Sequence, residues 1–264
     1  MAVAILTVLT QVGGLVYLIY LPVGRRIGRH LPNWPGKLLR AGGFLLLLVV
    51  TSLWLLPPLA RSYGRVALPL RATEQVPLGP GRWFTILANR HYVKPELLAA
   101  VTDITRRTAA RYPGTELRYL DANFPFLEGF PLYPHRSHDD GEKLDLSFLY
   151  TDADGARVTA SPGFLGYGHT EGPVAGEFDQ PRDCRAKGYW QYDLLRHLAG
   201  EESNLQFDAT ANGWLLRAIT ADDRIGKVFV EPHLKTRLGL EGEPKIRFHG
   251  CGAVRHDDHI HLQL

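Results

Sequence analysis

The sequence predicts an α+β fold, in which a small antiparallel sheet with flanking helices is preceded by two transmembrane helices. Two observations predict this architecture. The first sixty residues are very apolar, whereas the remainder has the mixed polarity of a soluble globular domain. Within that remainder, short strand patterns and helical patterns are mixed rather than regularly alternating, and such a mixture is typical of α+β proteins. We therefore expect a membrane segment followed by one globular domain.

Two uncharged segments, residues 2–23 and 41–60, predict the transmembrane helices. Each reaches the roughly 20 predominantly apolar residues that a membrane-spanning helix needs. A cleaved signal peptide is the alternative for the first segment, but no basic stretch precedes it and no clean small-residue cleavage site follows it. Residues 1–61 are therefore predicted to form a membrane hairpin.

Basic residues are concentrated between the two apolar segments, at Arg25, Arg26, Arg29, Lys37 and Arg40. Short loops that are rich in Lys and Arg face the cytoplasm, which places both termini outside. Three arginines after the second segment favour the opposite orientation, but they are spread over a longer span. The prediction is a two-pass protein of the inner or cytoplasmic membrane, with its globular domain in the periplasm or outside the cell.

The globular domain is predicted over residues 83–264, after a linker at 62–82 that is rich in Pro, Gly and Arg. Its basic residues form no long run or stripe, so the composition does not favour nucleic-acid binding. A glycine-rich stretch at 161–176 has no periodicity and is a candidate active-site loop. Periodicity and turn residues place helices at 94–112, 190–198, 212–221 and 232–238, and strands at 116–123, 144–150, 156–160, 227–230 and 254–264.

Two histidine-containing stretches are the strongest chemical signals. On a strand, residues i and i+2 point to the same face, so His259 and His261 should share one face while Ile260 packs into the core. Upstream, His138 and Asp145 frame the pattern His-x-x-Gly-x-x-x-Asp. A catalytic zinc site usually combines three protein ligands with an open position for water. His138, Asp145 and His261 are therefore the predicted zinc ligands.

The remaining side chains of these stretches are candidates for catalytic roles. His259 would face the metal-binding cavity, and a histidine beside an activated water is well placed as a general base. His256 is predicted to hydrogen-bond within the site or to assist at the transition state. Either Asp257 or Asp258 could orient one of the imidazoles. For His135, a contribution to the site and a position merely beside it both remain open.

Each of these patterns also has a less specific explanation. A single His-x-His step is common among surface or packed histidines, and the His-x-x-Gly-x-x-x-Asp frame also occurs by chance. The two together, in this order and in a domain predicted to lie outside the cell, favour a metal site. Five other histidines are predicted to be ordinary surface or packing residues, namely His91, His169, His197, His233 and His249.

Cys184 and Cys251 are the only cysteines, and both lie in the domain that is predicted to be outside the cell. The even number and the oxidising compartment favour a disulfide between them. Free thiols, one of them acting as a nucleophile, are the alternative. This alternative is less favoured, because the metal motifs already account for the histidines.

Three groups of residues carry a resemblance to a known family. They are His135-Arg136-Ser137-His138 with Gly141 and Asp145-Leu146, the middle segment Glu177-Phe178-Asp179, and the closing His256-Asp257-Asp258-His259-Ile260-His261. Over about residues 83–264, the chain resembles the penicillin-insensitive murein endopeptidases. The resemblance implies the fold that lysostaphin-type enzymes, D-Ala-D-Ala metallopeptidases and the hedgehog signalling domain share. It also implies zinc held by His138, Asp145 and His261, His259 as the base, and peptidoglycan cross-bridges as the substrate.

Two hypotheses of function result. The first is a membrane-anchored zinc metallopeptidase that hydrolyses peptide cross-links in peptidoglycan, with its anchor in residues 2–23 and 41–60. The second is a non-catalytic, zinc-containing module of the same fold that binds the cell wall or a partner protein. The sequence favours the enzyme, because all expected ligands and the expected base are present. A part of a polytopic transporter has little support, since only two membrane helices are predicted and neither carries a charge.

Overall fold

The computed structural model describes residues 1–163, 165–190, 192 and 204–264. The N-terminal part of the chain consists of helices that pack against one another. The N-terminal elements are α1 (Ala2–Thr10), α2 (Gly13–His30), α3 (Trp34–Val50), the π-helical turn (Thr51–Leu55) and α4 (Leu56–Arg61). The last three N-terminal elements are continuous, so that residues Trp34–Arg61 form one uninterrupted helix.

Among the described residues, one helix is long and apolar enough to cross a membrane, and this is the 28-residue helix Trp34–Arg61. The prediction of two such helices, and with it the two-pass topology, was wrong. The first apolar segment is divided at Gln11, whose backbone has a positive φ of 64°. Helix α1 therefore has nine residues and a length of roughly 14 Å, less than half of a hydrocarbon layer of about 30 Å. Helix α2 is longer, but it carries Arg25, Arg26 and Arg29 in its second half.

The centre of the globular part is a six-stranded sheet. Its strands are β2 (Leu78–Pro80), β4 (Leu117–Tyr119), β5 (Lys143–Ser147), β9 (Lys227–Phe229), β10 (Ile246–Arg247) and β11 (His259–Gln263). Their spatial order is β10-β9-β11-β5-β4-β2. The middle strands pair antiparallel, whereas the outer pairs β2–β4 and β10–β9 are parallel. The α+β prediction is thus confirmed, but the sheet is mixed and larger than the small antiparallel sheet that we expected.

Shorter strands and helices complete the described part of the chain. The segment predicted as a linker contains β1 (Val66–Ala67) and β2, which pair with β3 (Tyr92–Val93) and β4 of the globular part. The predicted helix at 190–198 lies almost entirely outside the described residues. The remaining elements are β1 (Val66–Ala67), α5 (Trp83–Leu87), β3 (Tyr92–Val93), α6 (Pro95–Arg111), β6 (Tyr150–Thr151), β7 (Arg157–Val158), α7 (Gln180–Ala186), β8 (Gln206–Phe207), α8 (Ala209–Thr220) and α9 (Pro232–Arg237).

The single strand predicted at 144–150 is divided into β5 and β6. The side chain of Asn212 accepts a hydrogen bond from the backbone N–H of Leu149 at 2.9 Å and donates one to the Leu149 carbonyl at 2.8 Å. Both backbone groups of Leu149 are therefore satisfied outside the sheet, and the chain turns away after Ser147. The predicted hairpin is present beyond this break, where β6 pairs antiparallel with β7.

Successive side chains of β5 and β11 point alternately into the hydrophobic core and to the opposite face of the sheet. Leu144 and Leu146 on β5, with Ile260 and Leu262 on β11, are fully buried in the hydrophobic core that also contains apolar residues of α6 and α8. Burial of each such side chain stabilises the fold by roughly 1.5–3 kcal/mol. Residues at the intervening positions point away from this core. The core therefore fixes which side chains of the two strands are available for chemistry.

Candidate metal centre

The predicted zinc ligands meet on the sheet face opposite the core. Asp145 and His261 are direct partners in the β5–β11 ladder. His261 Nδ1 lies 2.9 Å from Asp145 Oδ1 and 3.1 Å from His138 Nε2, and His138 Nε2 lies 3.3 Å from Asp145 Oδ1. All three side chains are buried. Bonds of about 2.1 Å at tetrahedral angles would separate two ligand atoms by about 3.4 Å, so the dimensions of this triangle are close to those of a metal site.

The tautomer of His138 is set by its second ring nitrogen. His138 Nδ1 lies 2.8 Å from the carbonyl oxygen of Ala122 and donates its proton there. In the neutral ring, Nε2 then carries a lone pair that points toward Asp145 and His261. Such a carbonyl behind a histidine is the usual outer support of a metal-binding imidazole. The three residues can therefore hold a metal ion.

Unpartnered nitrogen atoms in the site support this conclusion. Among the described residues, His135 Nε2, His259 Nε2 and His261 Nε2 are buried and have no hydrogen-bond partner, whereas the His261 atom in the triangle is Nδ1. A buried polar group without a partner costs about 1–3 kcal/mol, so an external group that contacts these nitrogens would stabilise the fold. Imidazole and carboxylate ligands suit several divalent transition metals, zinc among them.

A second group of three side chains, His135, Asp145 and His259, also has ligand atoms within 4.8 Å of one another. His135 Nδ1 lies 3.3 Å from Asp145 Oδ2 and 3.0 Å from Asp121 Oδ2. Arg90 binds the same Asp121 oxygen at 2.8 Å. His135 thus lies within the site rather than beside it. Because Asp145 belongs to both groups, an ion held by either group would lie next to this carboxylate.

Asp145 is held as an anion by its surroundings. Burial raises the pKa of its carboxyl, but the neighbouring imidazoles of His138, His259 and His135 outweigh burial and hold the pKa well below its ordinary value. The hydroxyl of Tyr167 donates to Asp145 Oδ2 at 2.8 Å. Burial raises the pKa of Tyr167 well above its usual range, so this hydroxyl keeps its proton. Asp145 is therefore ionised and oriented before any metal binds.

His259 is oriented by Asp258, one of the two aspartates predicted to support an imidazole. Its Nδ1 donates to Asp258 Oδ1, and the other oxygen of Asp258 accepts the backbone N–H of Gly168. This leaves His259 Nε2 without a protein partner, 3.8 Å from Asp145 Oδ1. Burial lowers the pKa of His259, but the carboxylates of Asp145 and Asp258 outweigh burial and raise it to about 9. The imidazole can thus take up a proton on Nε2.

His256 lies beside His259 and His261, with its ring centroid 4.9 Å and 5.7 Å from theirs. Its backbone N–H donates to Glu231 Oε1 at 3.1 Å, which fixes the segment before β11. Burial holds the pKa of His256 well below its ordinary value, so its ring is neutral at neutral pH. A neutral imidazole can donate one hydrogen bond, as the predicted assisting role requires.

A cavity of about 600 Å³ opens onto the metal-binding group. His249, predicted to be an ordinary surface or packing residue, stacks on the ring of Phe229 at a centroid distance of 4.1 Å and forms part of the cavity wall. The volume lies in the usual range for ligand-binding sites. The lining residues are Pro134, His135, Arg136, Ser137, His138, His249, Gly252, Ala253, Val254, His256 and His261.

The two cysteines form a disulfide, which confirms the favoured prediction. Cys184 of α7 is bonded to Cys251, and their Cα atoms are 5.3 Å apart. Both sulfur atoms are therefore engaged, and the alternative of a thiol nucleophile is wrong for this state of the chain. Because Cys251 directly precedes the cavity-lining segment 252–254, the disulfide ties one rim of the cavity to α7.

Three residues that support the site were not assigned to it from the sequence. Asp121 is a carboxylate within a predicted strand, where an ionisable group is unusual and could have served as a signal. Tyr167 lies in the glycine-rich stretch that was predicted to be an active-site loop, but its type alone indicated nothing. Glu231 gave no signal, since its contact with the backbone of His256 depends on the tertiary fold.

Comparison with known proteins adds no family to these observations. The chain matches no protein-family model. A search among curated proteins likewise finds no significant match. The geometry of the described residues therefore carries the functional argument.

Proposed function

We propose that this chain is a membrane-anchored zinc metallopeptidase that hydrolyses peptide cross-links in peptidoglycan, as its resemblance to the murein endopeptidases implies. One observation carries the proposal. The metal-binding group of His138, Asp145 and His261 lies beside His259, whose Nδ1 is occupied by Asp258 and whose Nε2 is unpartnered. Three protein ligands next to an imidazole with an unpartnered nitrogen are the components of metal-assisted hydrolysis.

The metal ion would be held by His138, Asp145 and His261. Zinc bound there would supply Lewis-acid activation of a water molecule and of the carbonyl group of the scissile peptide. The buried, ionised Asp145 provides the negative charge that a divalent cation needs in a site of low dielectric. Tyr167 keeps that carboxylate in place by donating to its second oxygen.

His259 is the proposed general base. Its Nε2 accepts a proton from the attacking water molecule, and the same nitrogen later returns the proton to the departing amine. Asp258 fixes the ring by accepting from Nδ1 and stabilises the imidazolium that forms. A metal ion beside His259 would also lower its pKa from about 9, toward the range in which an imidazole serves as a base at neutral pH.

His256 is the proposed donor to the oxyanion that develops on the attacked carbonyl. Its ring is neutral and lines the same cavity as His138 and His261. A fixed donor at such a position lowers the barrier because it stabilises charge that exists only in the transition state. Glu231 holds the His256 backbone and so fixes where this donor lies.

The helix Trp34–Arg61 is the proposed anchor, by its length and composition. Basic residues between Arg25 and Arg40 precede its uncharged part, and the positive-inside rule then places the globular domain on the outer side, in the periplasm or outside the cell. The disulfide between Cys184 and Cys251 supports an oxidising compartment. An enzyme anchored in this way would act on peptidoglycan close to the membrane.

The test is a digestion by the full chain in detergent micelles. Purified cross-linked muropeptides are incubated with the protein after treatment with chelator, with and without added zinc, and product masses are measured. We expect conversion of dimers to monomers that requires zinc. Protein that carries one zinc per chain and leaves every dimer intact would overturn the enzyme proposal and favour the non-catalytic binding module.

A further inference from the structure

A second cavity, of about 300 Å³, lies between α2 and α3, far along the chain from the candidate metal centre. Both aromatic and cationic side chains line this cavity. Tyr20 and Phe44, whose ring centroids are 6.1 Å apart, contribute an aromatic wall. Arg25, Lys37 and Arg40 contribute three cationic side chains. The cavity is therefore amphipathic, with its cationic residues toward one end of the two helices and its aromatic residues toward the other.

The three cationic side chains of the cavity have no acidic residue near them in the sequence. The first acidic residue of the chain is Glu74, so none of residues 1–73 is acidic. In the described structure, Arg40 donates to the backbone carbonyl of Gly36, and neither Arg25 nor Lys37 contacts a carboxylate. Clustered cations without an acidic partner create a potential that attracts a multivalent anion.

The side chain of Tyr20 adds a hydrogen-bonding group to this cavity. It is 9% exposed, and its hydroxyl has no hydrogen-bond partner among the described residues. The hydroxyl lies against Gly43, where any side chain would collide with it. A buried hydroxyl without a partner is costly, so its presence in the cavity wall indicates a ligand that accepts a hydrogen bond.

The cavity also lies at a defined position along the helix Trp34–Arg61. Lys37 and Arg40 lie in the turn of helix before residues 41–60, which are uncharged, and Ala41 and Phe44 of the uncharged part also line the cavity. If this helix crosses a bilayer, the cations lie at the level of the lipid headgroups and the aromatic wall faces the acyl chains. The arrangement of cationic and aromatic residues in the cavity thus matches the arrangement of headgroup and acyl chains in a phospholipid.

We propose that this cavity binds one anionic phospholipid. Arg25, Lys37 and Arg40 would contact the phosphate of the headgroup, the Tyr20 hydroxyl would donate to it, and an acyl chain would pack along Phe44. Basic pockets between membrane helices recognise anionic headgroups by this combination of charge and hydrogen bonding. The proposal rests on the membrane anchoring proposed above, but it is independent of peptidase activity.

The experiment measures lipid retained by the full chain in native mass spectra recorded from detergent. The protein is mixed with phosphatidylglycerol or with phosphatidylcholine at equal concentration. We expect a one-to-one adduct with phosphatidylglycerol, favoured over phosphatidylcholine by about tenfold. Inorganic phosphate at millimolar concentration should neither form the adduct nor displace the lipid, because it lacks the acyl chains. Equal retention of the two lipids, or displacement by inorganic phosphate, would overturn the proposal.

A matched pair of triple variants separates a built site from general attraction. The variant R25Q/K37Q/R40Q removes the three cavity cations and should lose the preference for phosphatidylglycerol. The control R26Q/R29Q/R61Q removes three charges that do not line the cavity, and its preference should remain. The variant Y20F should weaken the adduct by about threefold to tenfold, since it removes one hydrogen bond. Equal losses in the two triple variants would show that no defined site exists.

Two further readouts separate this proposal from the proposed function. Wild-type chain should co-sediment with neutral liposomes through the helix Trp34–Arg61, and its failure to do so would contradict anchoring rather than the headgroup contacts. Cleavage of muropeptides in detergent should be equal for R25Q/K37Q/R40Q and the wild type. Loss of cleavage in every protein, with lipid preference intact, would contradict the peptidase proposal alone.

Discussion

His261 and Asp145 pair directly across strands β11 and β5, and this pairing brings His261 Nδ1 to 2.9 Å from Asp145 Oδ1. Backbone hydrogen bonds of the ladder thus determine the distance between two of the three candidate ligands. Elements of regular structure hold a site more rigidly than loops do, so the metal geometry should vary little when the surrounding loops move. The third ligand, His138, reaches the pair from a loop and is oriented by the carbonyl of Ala122.

Replacing the shared carboxylate should abolish metal binding. Asp145→Asn keeps the shape of the side chain but removes the charge that a buried divalent cation requires. We expect metal affinity to fall by about 100-fold or more, measured by titration of chelator-treated full chain with zinc. Asp154→Asn, in the exposed turn between β6 and β7, is the matched control and should bind metal normally. An unchanged affinity in Asp145→Asn would contradict both candidate ligand groups.

Removing the proposed base should separate catalysis from metal binding. His259→Ala should lower turnover of muropeptide dimers by about 10²–10⁴-fold, because the substitution removes the unpartnered Nε2 that would accept the proton. Its zinc content should stay at one ion per chain. Asp258→Asn should have a smaller effect of about 10–100-fold, since the ring remains but its tautomer is less well fixed. Full activity in zinc-loaded His259→Ala would show that another group is the base.

His91 should make the folded state sensitive to acid. Its ring is completely buried away from the metal centre, and burial lowers its pKa to about 4. As the pH falls from about 6.5 to about 4, the unfolded chain takes up a proton on this residue and the folded chain does not. The free energy of unfolding therefore falls by about 3 kcal/mol between pH 6.5 and pH 4 because of His91.

The measurement is denaturant unfolding of the full chain in detergent between pH 7 and pH 4. The variant H91F cannot titrate, so the slope of its unfolding free energy against pH should be shallower than that of the wild type. The control L127A changes an exposed side chain that carries no titratable group, and its slope should match the wild type. Identical slopes in H91F and the wild type would contradict the assignment to His91.

Breaking the disulfide should destabilise the domain. The Cys184–Cys251 bond spans 67 positions in sequence, and a loop of this length restricts the unfolded chain by about 4 kcal/mol. We expect the double variant C184S/C251S to unfold at correspondingly lower denaturant concentration. A reductant should lower the stability of the wild type toward that of the variant and leave the variant unchanged. Equal stability of variant and wild type would show that the bond contributes nothing to folding.

Local patterns predicted those parts of the site that depend on neighbouring residues. The alternation of His259, Ile260 and His261 defines two faces of a strand, and the structure places Ile260 in the core as expected. Contacts that depend on distant residues could not be predicted in this way. The pairing of Asp145 with His261 spans 116 positions, and the Tyr167 contact with Asp145 depends on a loop without periodicity.

The fold shows the same division between local and distant causes. The long periodic helix Pro95–Arg111 was predicted almost to the residue, because its apolar face and Pro95 are local signals. Strands β2 and β10 have three and two residues, too few for alternation to be recognised. In the N-terminal region, apolar composition is continuous across Gln11, so hydropathy alone could not reveal the break that divides the first predicted membrane helix.

The two overlapping ligand groups lead to the last prediction, which concerns where the metal binds. His138 Nδ1 donates to a carbonyl, which leaves Nε2 as a lone pair for the metal. In contrast, His135 Nδ1 is the atom that faces Asp145, and it is already engaged by Asp121, whose carboxylate Arg90 holds. We therefore expect the ion to bind His138 rather than His135.

His138→Ala should lose metal binding, whereas His135→Ala should retain one ion per chain. The reason is that the Nε2 lone pair beside Asp145 and His261 is lost only in the first variant. Both are measured as zinc content after dialysis, together with the unfolding free energy of each variant with and without zinc, because an ion that binds only the folded state stabilises it. Stabilisation by zinc that persists in His138→Ala and vanishes in His135→Ala would assign the metal to the group of His135, Asp145 and His259.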